Sequence, residues 1–84
     1  MESAMTISAQ VSVYPLRQDH LSPAIAAVKT ELEAHGLRPE IGAMSTQVVG
    51  EPEAVFAALR DAFVRVAAKG QVVMTVTVSN ACPV

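Results

Sequence analysis

Tryptophan is absent from this 84-residue chain, and its only aromatic side chains are Tyr14, Phe56 and Phe63. Three scattered rings cannot form the stacking platform that single-stranded nucleic acid requires. Charge is sparse as well: 17% of residues are ionised and the net charge is −2. Lys29, Arg38, Arg60, Arg65 and Lys69 are dispersed, so there is no basic patch to release counterions from a phosphate backbone. Nucleic acid is not an expected partner. There is one cysteine, Cys82, which excludes an internal disulfide. It has no activating base in view and reads as a packing or tail residue. No run approaches the ~20 apolar residues that span a bilayer. The start, Met1-Glu2-Ser3-Ala4-Met5, lacks the basic and apolar regions of a signal peptide. The expectation is a cytoplasmic protein without membrane insertion.

Groups for chemistry are equally scarce. His20 and His35 stand about a helix length apart and cannot share a metal within one helix. Glu31 and Glu33 do not share a helix face. Glu51 and Glu53 read as favourable charge at a helix start. With no metal cluster, nucleophile pair or strong base, the expectation is a binding module rather than an enzyme, needing no catalytic cofactor.

What the chain has in quantity is apolar surface, 51% of its residues. A chain this short makes one domain, residues 1–84, and buries roughly two-thirds or less of its unfolded surface. Such a domain gains from self-association. With few charges to cover the exterior, a homodimer or homotetramer formed by sheet packing is expected. Residues 1–5 are expected to fray and 80–84 to form a tail.

The pattern along the chain is regular. Residues 6–14 alternate strictly, with Ile7, Ala9, Val11 and Val13 on one side and Thr6, Ser8, Gln10 and Ser12 on the other, which predicts a strand ended by Pro15. A helix from Ser22 or Pro23 to about His35 carries Leu21, Ile25, Val28 and Leu32 as its buried stripe, and Gly36 stops it. Residues 37–41 predict a weak edge strand interrupted by Pro39, and Gly42 and Ala43 a hairpin turn. Residues 44–49 predict the next strand, with Gly50 ending it. A second helix over residues 52–69 has Val55, Phe56, Leu59, Ala62, Phe63 and Val66 as a wide apolar face, and Gly70 terminates it. The last strand, residues 71–79, puts Val72, Met74, Val76 and Val78 opposite Val73, Thr75, Thr77 and Ser79. Met5, Met44 and Met74 read as core or interface filler.

This order, βαββαβ, predicts an α+β ferredoxin-like sandwich: a four-stranded antiparallel sheet with two helices on one face. The other face would carry Thr6, Ser8, Gln10, Ser12, Thr75, Thr77 and Ser79. It would be neutral and hydroxylated, suited to a second sheet or to a ligand held between two sheets. An ordinary solvent-facing sheet is the plainer alternative.

Four stretches carry a resemblance. Ser12-Val13-Tyr14-Pro15-Leu16, Met44-Ser45-Thr46-Gln47-Val48-Val49-Gly50, Val55-Phe56 and the closing residues from Val73 to Pro83 resemble, in order, the YkoF-like thiamine/hydroxymethylpyrimidine-binding family. The resemblance implies a ferredoxin-like fold, dimers or dimers of dimers, and binding of thiamine through its hydroxymethylpyrimidine part. It also implies a role in vitamin salvage or in support of a vitamin transporter. Carried over position by position, it implies ligand contacts from Ser12, Tyr14, Ser45, Thr46, Gln47, Ser79 and Asn80, with Cys82 in the last motif. Hydroxyls and amides can match the donors and acceptors of an aminopyrimidine, and Tyr14 can stack on the ring. Strand alternation adds a restriction: Ser45 and Thr46 cannot both line one face of a regular strand. A structural or regulatory module of the same fold, binding another small molecule or a protein, is the alternative.

Overall fold

The computed structural model describes residues 5–17 and 22–81. The elements run β1 (Ile7–Pro15), α1 (Ser22–Ala34), β2 (Glu40–Ile41), β3 (Thr46–Gly50), α2 (Pro52–Ala67) and β4 (Val72–Ser79). The sheet order is β2-β3-β1-β4, and every neighbouring pair is antiparallel. Both helices lie on one face, so the ferredoxin-like sandwich is the fold of this domain.

The alternation of β1 resolves as expected. Ile7, Ala9, Val11 and Val13 are all buried beneath the helices. Val48 and Thr46 on β3 join them, Thr46 being the one buried polar residue among those described. From above, α1 contributes Ala24, Val28 and Leu32, with Ile25 packed at the margin. The Leu21 position of the expected stripe lies outside the described residues, as do His20 and Cys82. The end of α1 is a Schellman stop: Gly36 adopts φ 81°, and the Leu37 N–H reaches back to the Leu32 carbonyl at 3.1 Å. That turn drops Leu37 into the core beside Leu32, which consumes the residues expected to begin β2. The strand is therefore only Glu40–Ile41.

The wide apolar face of α2 is covered only in part. Phe56 and Phe63 are not buried; they are 53% and 41% exposed. The line of α2 that meets the sheet runs through Val55, Ala58, Leu59, Ala62 and Val66. At 3.6 residues per turn, Phe56 and Phe63 sit about a quarter-turn to one side of it. The apolar arc of the helix is wider than the surface beneath it. Of the methionines read as core or interface filler, Met74 packs against the core, while Met44 and Met5 lie outside it, 84% and 54% exposed.

The other flank of α2 meets α1 through polar contacts. Arg65 Nη1 donates to Glu31 Oε2 at 3.0 Å, and His35 Nε2 lies 2.8 Å from Asp61 Oδ2. Small residues Ala24, Ala58 and Ala62 are buried on this layer and let the helices approach closely to each other and to the sheet.

Candidate functional site

The uncovered sheet face follows from register, because residues opposite each other in antiparallel strands project to the same side. Down the centre run Ser8, Gln10, Ser12 and Tyr14 of β1. Val49 and Gln47 of β3 flank Ser8 and Gln10; Ser79, Thr77, Thr75 and Val73 of β4 flank all four. Glu40, opposite Gln47, is the one carboxylate on this face among the described residues and stands at its β2 margin. The rest is neutral amide, hydroxyl, phenol and valine.

One end of this face is unfinished. The ladder between β1 and β3 stops at Val11↔Thr46, while the ladder between β1 and β4 continues to Pro15↔Val72. Residues 12–15 therefore have a strand on one side only. The Gly42–Ser45 loop occupies the vacant side, closed by Gly42 N–H donating to the Ser45 carbonyl at 2.8 Å. Two side chains of β1 fasten it: Ser12 Oγ donates to the Met44 carbonyl at 3.2 Å, and Gln10 Nε2 donates to Ser45 Oγ at 3.2 Å. Between strand and loop lies a cleft of about 50 Å³, lined among others by Ser12, Tyr14, Ile25, Met44, Ser45 and Thr46. Outside the same loop, an open groove runs past Glu40 and Gln47. The cleft is well below the ~300 Å³ lower range of small-molecule pockets. A ligand at this end would need a further surface to cover it.

Ser12, Tyr14 and Ser45 are thus brought together, with Gln47 opposite Gln10 one step along the face. Gln10 was legible as an open-face residue by alternation but not as the partner of Ser45, because that pairing spans 35 residues and depends on the loop. Ser45 precedes the strand and presents its hydroxyl on the open face; Thr46, 6% exposed, points to the helices. Ser79 and Asn80 are at the far end: Ser79 pairs with Ser8, four residues from Ser12, or about 13 Å along the strand. There Ser79 Oγ accepts from the Ala81 N–H at 2.9 Å, and Asn80 is exposed. Within one subunit the two groups of residues face different ends of the sheet.

A second polar cluster stands on the helix layer. Glu31, His35 and Asp61 gather their ligating atoms within 4.8 Å of one another. Each carboxylate already has a cationic partner, Arg65 on Glu31 and Arg60 on Asp61. The His35 hydrogen bond, and then that of Arg60, hold the Asp61 carboxyl below its ordinary range. The arrangement ties helix to helix.

Fold and face together define a small ferredoxin-like domain with a neutral hydrogen-bonding sheet surface ending in an open cleft. Residues 9–80 match the family described as Thiamine-binding protein, and the chain belongs to that family. Among solved structures it is similar to a hypothetical protein of Methanocaldococcus jannascii, with TM-score 0.82, 22% identity, and 89% of this chain and 79% of that one covered. It is also similar to a protein of Streptococcus pneumoniae, with TM-score 0.80, 21% identity, and 89% and 86% covered. A candidate thiamine biosynthesis/salvage protein of Thermotoga maritima matches with TM-score 0.77, 18% identity, and 88% and 82% covered. At these identities the structural likenesses establish the fold. No curated protein matches significantly. No helix among the described residues is long and apolar enough to cross a membrane.

Proposed function

We propose that this domain binds thiamine non-catalytically, through the hydroxymethylpyrimidine moiety, at the cleft between the end of β1 and the Gly42–Ser45 loop. The observation that carries this reading is the convergence of Ser12, Tyr14 and Ser45 with Gln10 and Gln47 on one neutral patch, in a chain of this family. Hydroxyls and carboxamides both donate and accept, as an aminopyrimidine with ring acceptors and an exocyclic amine requires. Tyr14, half exposed, offers a ring face for stacking. Glu40, on the outer groove of the same loop, offers a carboxylate to the cationic thiazolium.

The reading includes self-association through the open face. The cleft is too small and too open to enclose a ligand alone. Antiparallel packing of two such faces would set the Ser79–Asn80 end of one copy against the Tyr14 end of the other. That would reunite the residues that one subunit keeps apart. The protein would work in the cytoplasm, in vitamin salvage or beside a transporter, with thiamine as cargo rather than as a cofactor.

Calorimetry and thermal shift with millimolar thiamine and hydroxymethylpyrimidine test the ligand. A site filled at 100 times its dissociation constant is stabilised by about 2.7 kcal/mol. No heat and no shift with either compound would defeat the reading. The alternative, an interaction module of the same fold, rests on an open face with a single carboxylate at its margin. Gln10→Lys separates the two: assembly lost with ligand binding intact would assign that face to the interface alone.

A further inference from the structure

The groove outside the Gly42–Ser45 loop does not end at Glu40. Beyond it opens a further groove of about 430 Å³, lined among others by Leu37, Arg38, Glu40, Gln47 and Val49. Unlike the cleft, it falls within the ~300–1,000 Å³ range of small-molecule sites. The short β2 creates this space. The Schellman stop of α1 sends Leu37 into the core, so the ladder with β3 holds only Glu40↔Gln47 and Ile41↔Thr46. Val48 and Val49 have no strand beside them on that side.

Two opposite charges stand in the groove. Arg38 and Glu40 are both exposed, and no more than about 7 Å of backbone separates them. They form no ion pair with each other or with another described residue. Across the cleft and both grooves, Arg38 is the one cation and Glu40 the one anion among the described lining residues. Arg38 is also well placed by its neighbours, since Leu37 is anchored in the core before it and Pro39 limits the chain after it. The three spaces adjoin. The cleft and the loop groove share Ile41 to Ser45, and the two grooves share Glu40 and Gln47. From Tyr14 outward, this margin of the sheet therefore runs neutral, negative, positive.

Thiamine along its length is a neutral aminopyrimidine, a cationic thiazolium and a hydroxyethyl arm. The cleft and Glu40 match the first two parts. The arm then points toward Arg38 with only a hydroxyl to offer. A phosphate ester on that arm would bring a charge near −2 and three acceptor oxygens, which suit a planar guanidinium. Resting on the thiamine reading above, we propose that the preferred ligand of this site is the phosphate monoester of thiamine, with Arg38 holding the phosphate.

The test is calorimetric titration of the full chain with thiamine, thiamine monophosphate, hydroxymethylpyrimidine and inorganic phosphate. It is run at about 50 mM and about 500 mM salt, because an exposed ion pair is screened. At low salt the native chain is expected to bind the monophosphate about five- to tenfold tighter than thiamine, and the preference shrinks at high salt. Arg38→Gln, at an exposed position and so compatible with folding, is expected to abolish the preference. Lys29→Gln removes the same charge from an exposed site on α1 outside the grooves and is expected to retain it. The proposal is overturned if the native chain binds the monophosphate no tighter than thiamine, or if Arg38→Gln keeps the preference. It is also overturned if Lys29→Gln loses the preference equally, or if inorganic phosphate binds as tightly as the ester. Thiamine bound without any preference for its ester defeats this inference alone. No binding of any of the three organic compounds defeats the thiamine reading and this inference with it.

Discussion

Ser45 and Thr46 are adjacent hydroxyls that the structure sends in opposite directions, so they provide a sharp test of where a ligand sits. Ser45 Oγ takes a hydrogen bond from Gln10 on the open face, and Thr46 is 6% exposed beneath the helices. Removing the hydroxyl in Ser45→Ala leaves the Gln10 amide free to hydrate, so the unliganded fold should change little. The ligand, however, loses both a hydroxyl and the fixed orientation of Gln10. A hydrogen bond is worth about 0.5–1.5 kcal/mol net, which corresponds to a roughly 2- to 13-fold weaker dissociation constant. Taking a fourfold loss at a ligand concentration 100 times the native constant, the stabilisation falls from about 2.7 to about 1.9 kcal/mol. For a domain of this size that is a thermal shift smaller by roughly 3–6 °C. Thr46→Val, which touches the cleft only from the helix side, should weaken binding less than Ser45→Ala. Titration calorimetry with thiamine measures the constants, and thermal melts with and without ligand check the arithmetic. If Thr46→Val weakens binding more than Ser45→Ala, the ligand does not sit on the open face and the placement of the site is wrong.

Three other perturbations probe the scaffold. Leu32→Ala empties a fully buried position in the layer between α1 and the sheet and should lower unfolding free energy by about 2–5 kcal/mol in urea titrations. A loss under 1 kcal/mol would mean that the core is not where the structure puts it. In Gly50→Ala the new methyl would lie 2.6 Å from Leu37 Cδ2 and 3.4 Å from Val55 Cγ2. Because the first is the end of a side chain that can shift, the expected loss is about 1–3 kcal/mol, read from the urea midpoint. Asp61 has a folded pKa below its unfolded value, set first by His35 and then by Arg60. Its contribution to stability is therefore present above about pH 4, the unfolded carboxylate value, and is lost as pH falls through the lower folded value. Asp61→Asn should flatten that acid limb, more visibly at low salt because the pair is partly exposed; superimposable limbs for native and variant protein would contradict it.

The periodicity of β1 is enough to divide its residues between two faces, because a strand has one degree of freedom once one face is apolar. The same argument gives the order of elements, the stop at Gly36, and the neutral character of the open face. It does not reach the cleft. That depends on where the β1–β3 ladder ends, and residues 44 and 45, apolar and small, read as strand although they form the loop pinned by Ser12 and Gln10. Nor does it divide the candidate residues into two groups: Ser79 and Asn80 are close to the others in family pattern but lie at the opposite end of the sheet.

What the chain determines by itself is local: alternation, helical stripes, turn residues and a shortage of charge, each set by neighbours within a few positions. From these come the ferredoxin-like fold and a surface fit for hydrogen bonding. Tertiary structure alone decided the rest. Phe56 and Phe63 belong to one apolar arc in the sequence, and only the position of α2 over the sheet leaves them uncovered. Glu31, His35, Asp61 and Arg65 are separated by up to 34 residues and meet only because two helices pack side by side. Hydrophobic pattern specifies that a face must be buried; how much of it the neighbouring elements cover is a property of the assembled layers.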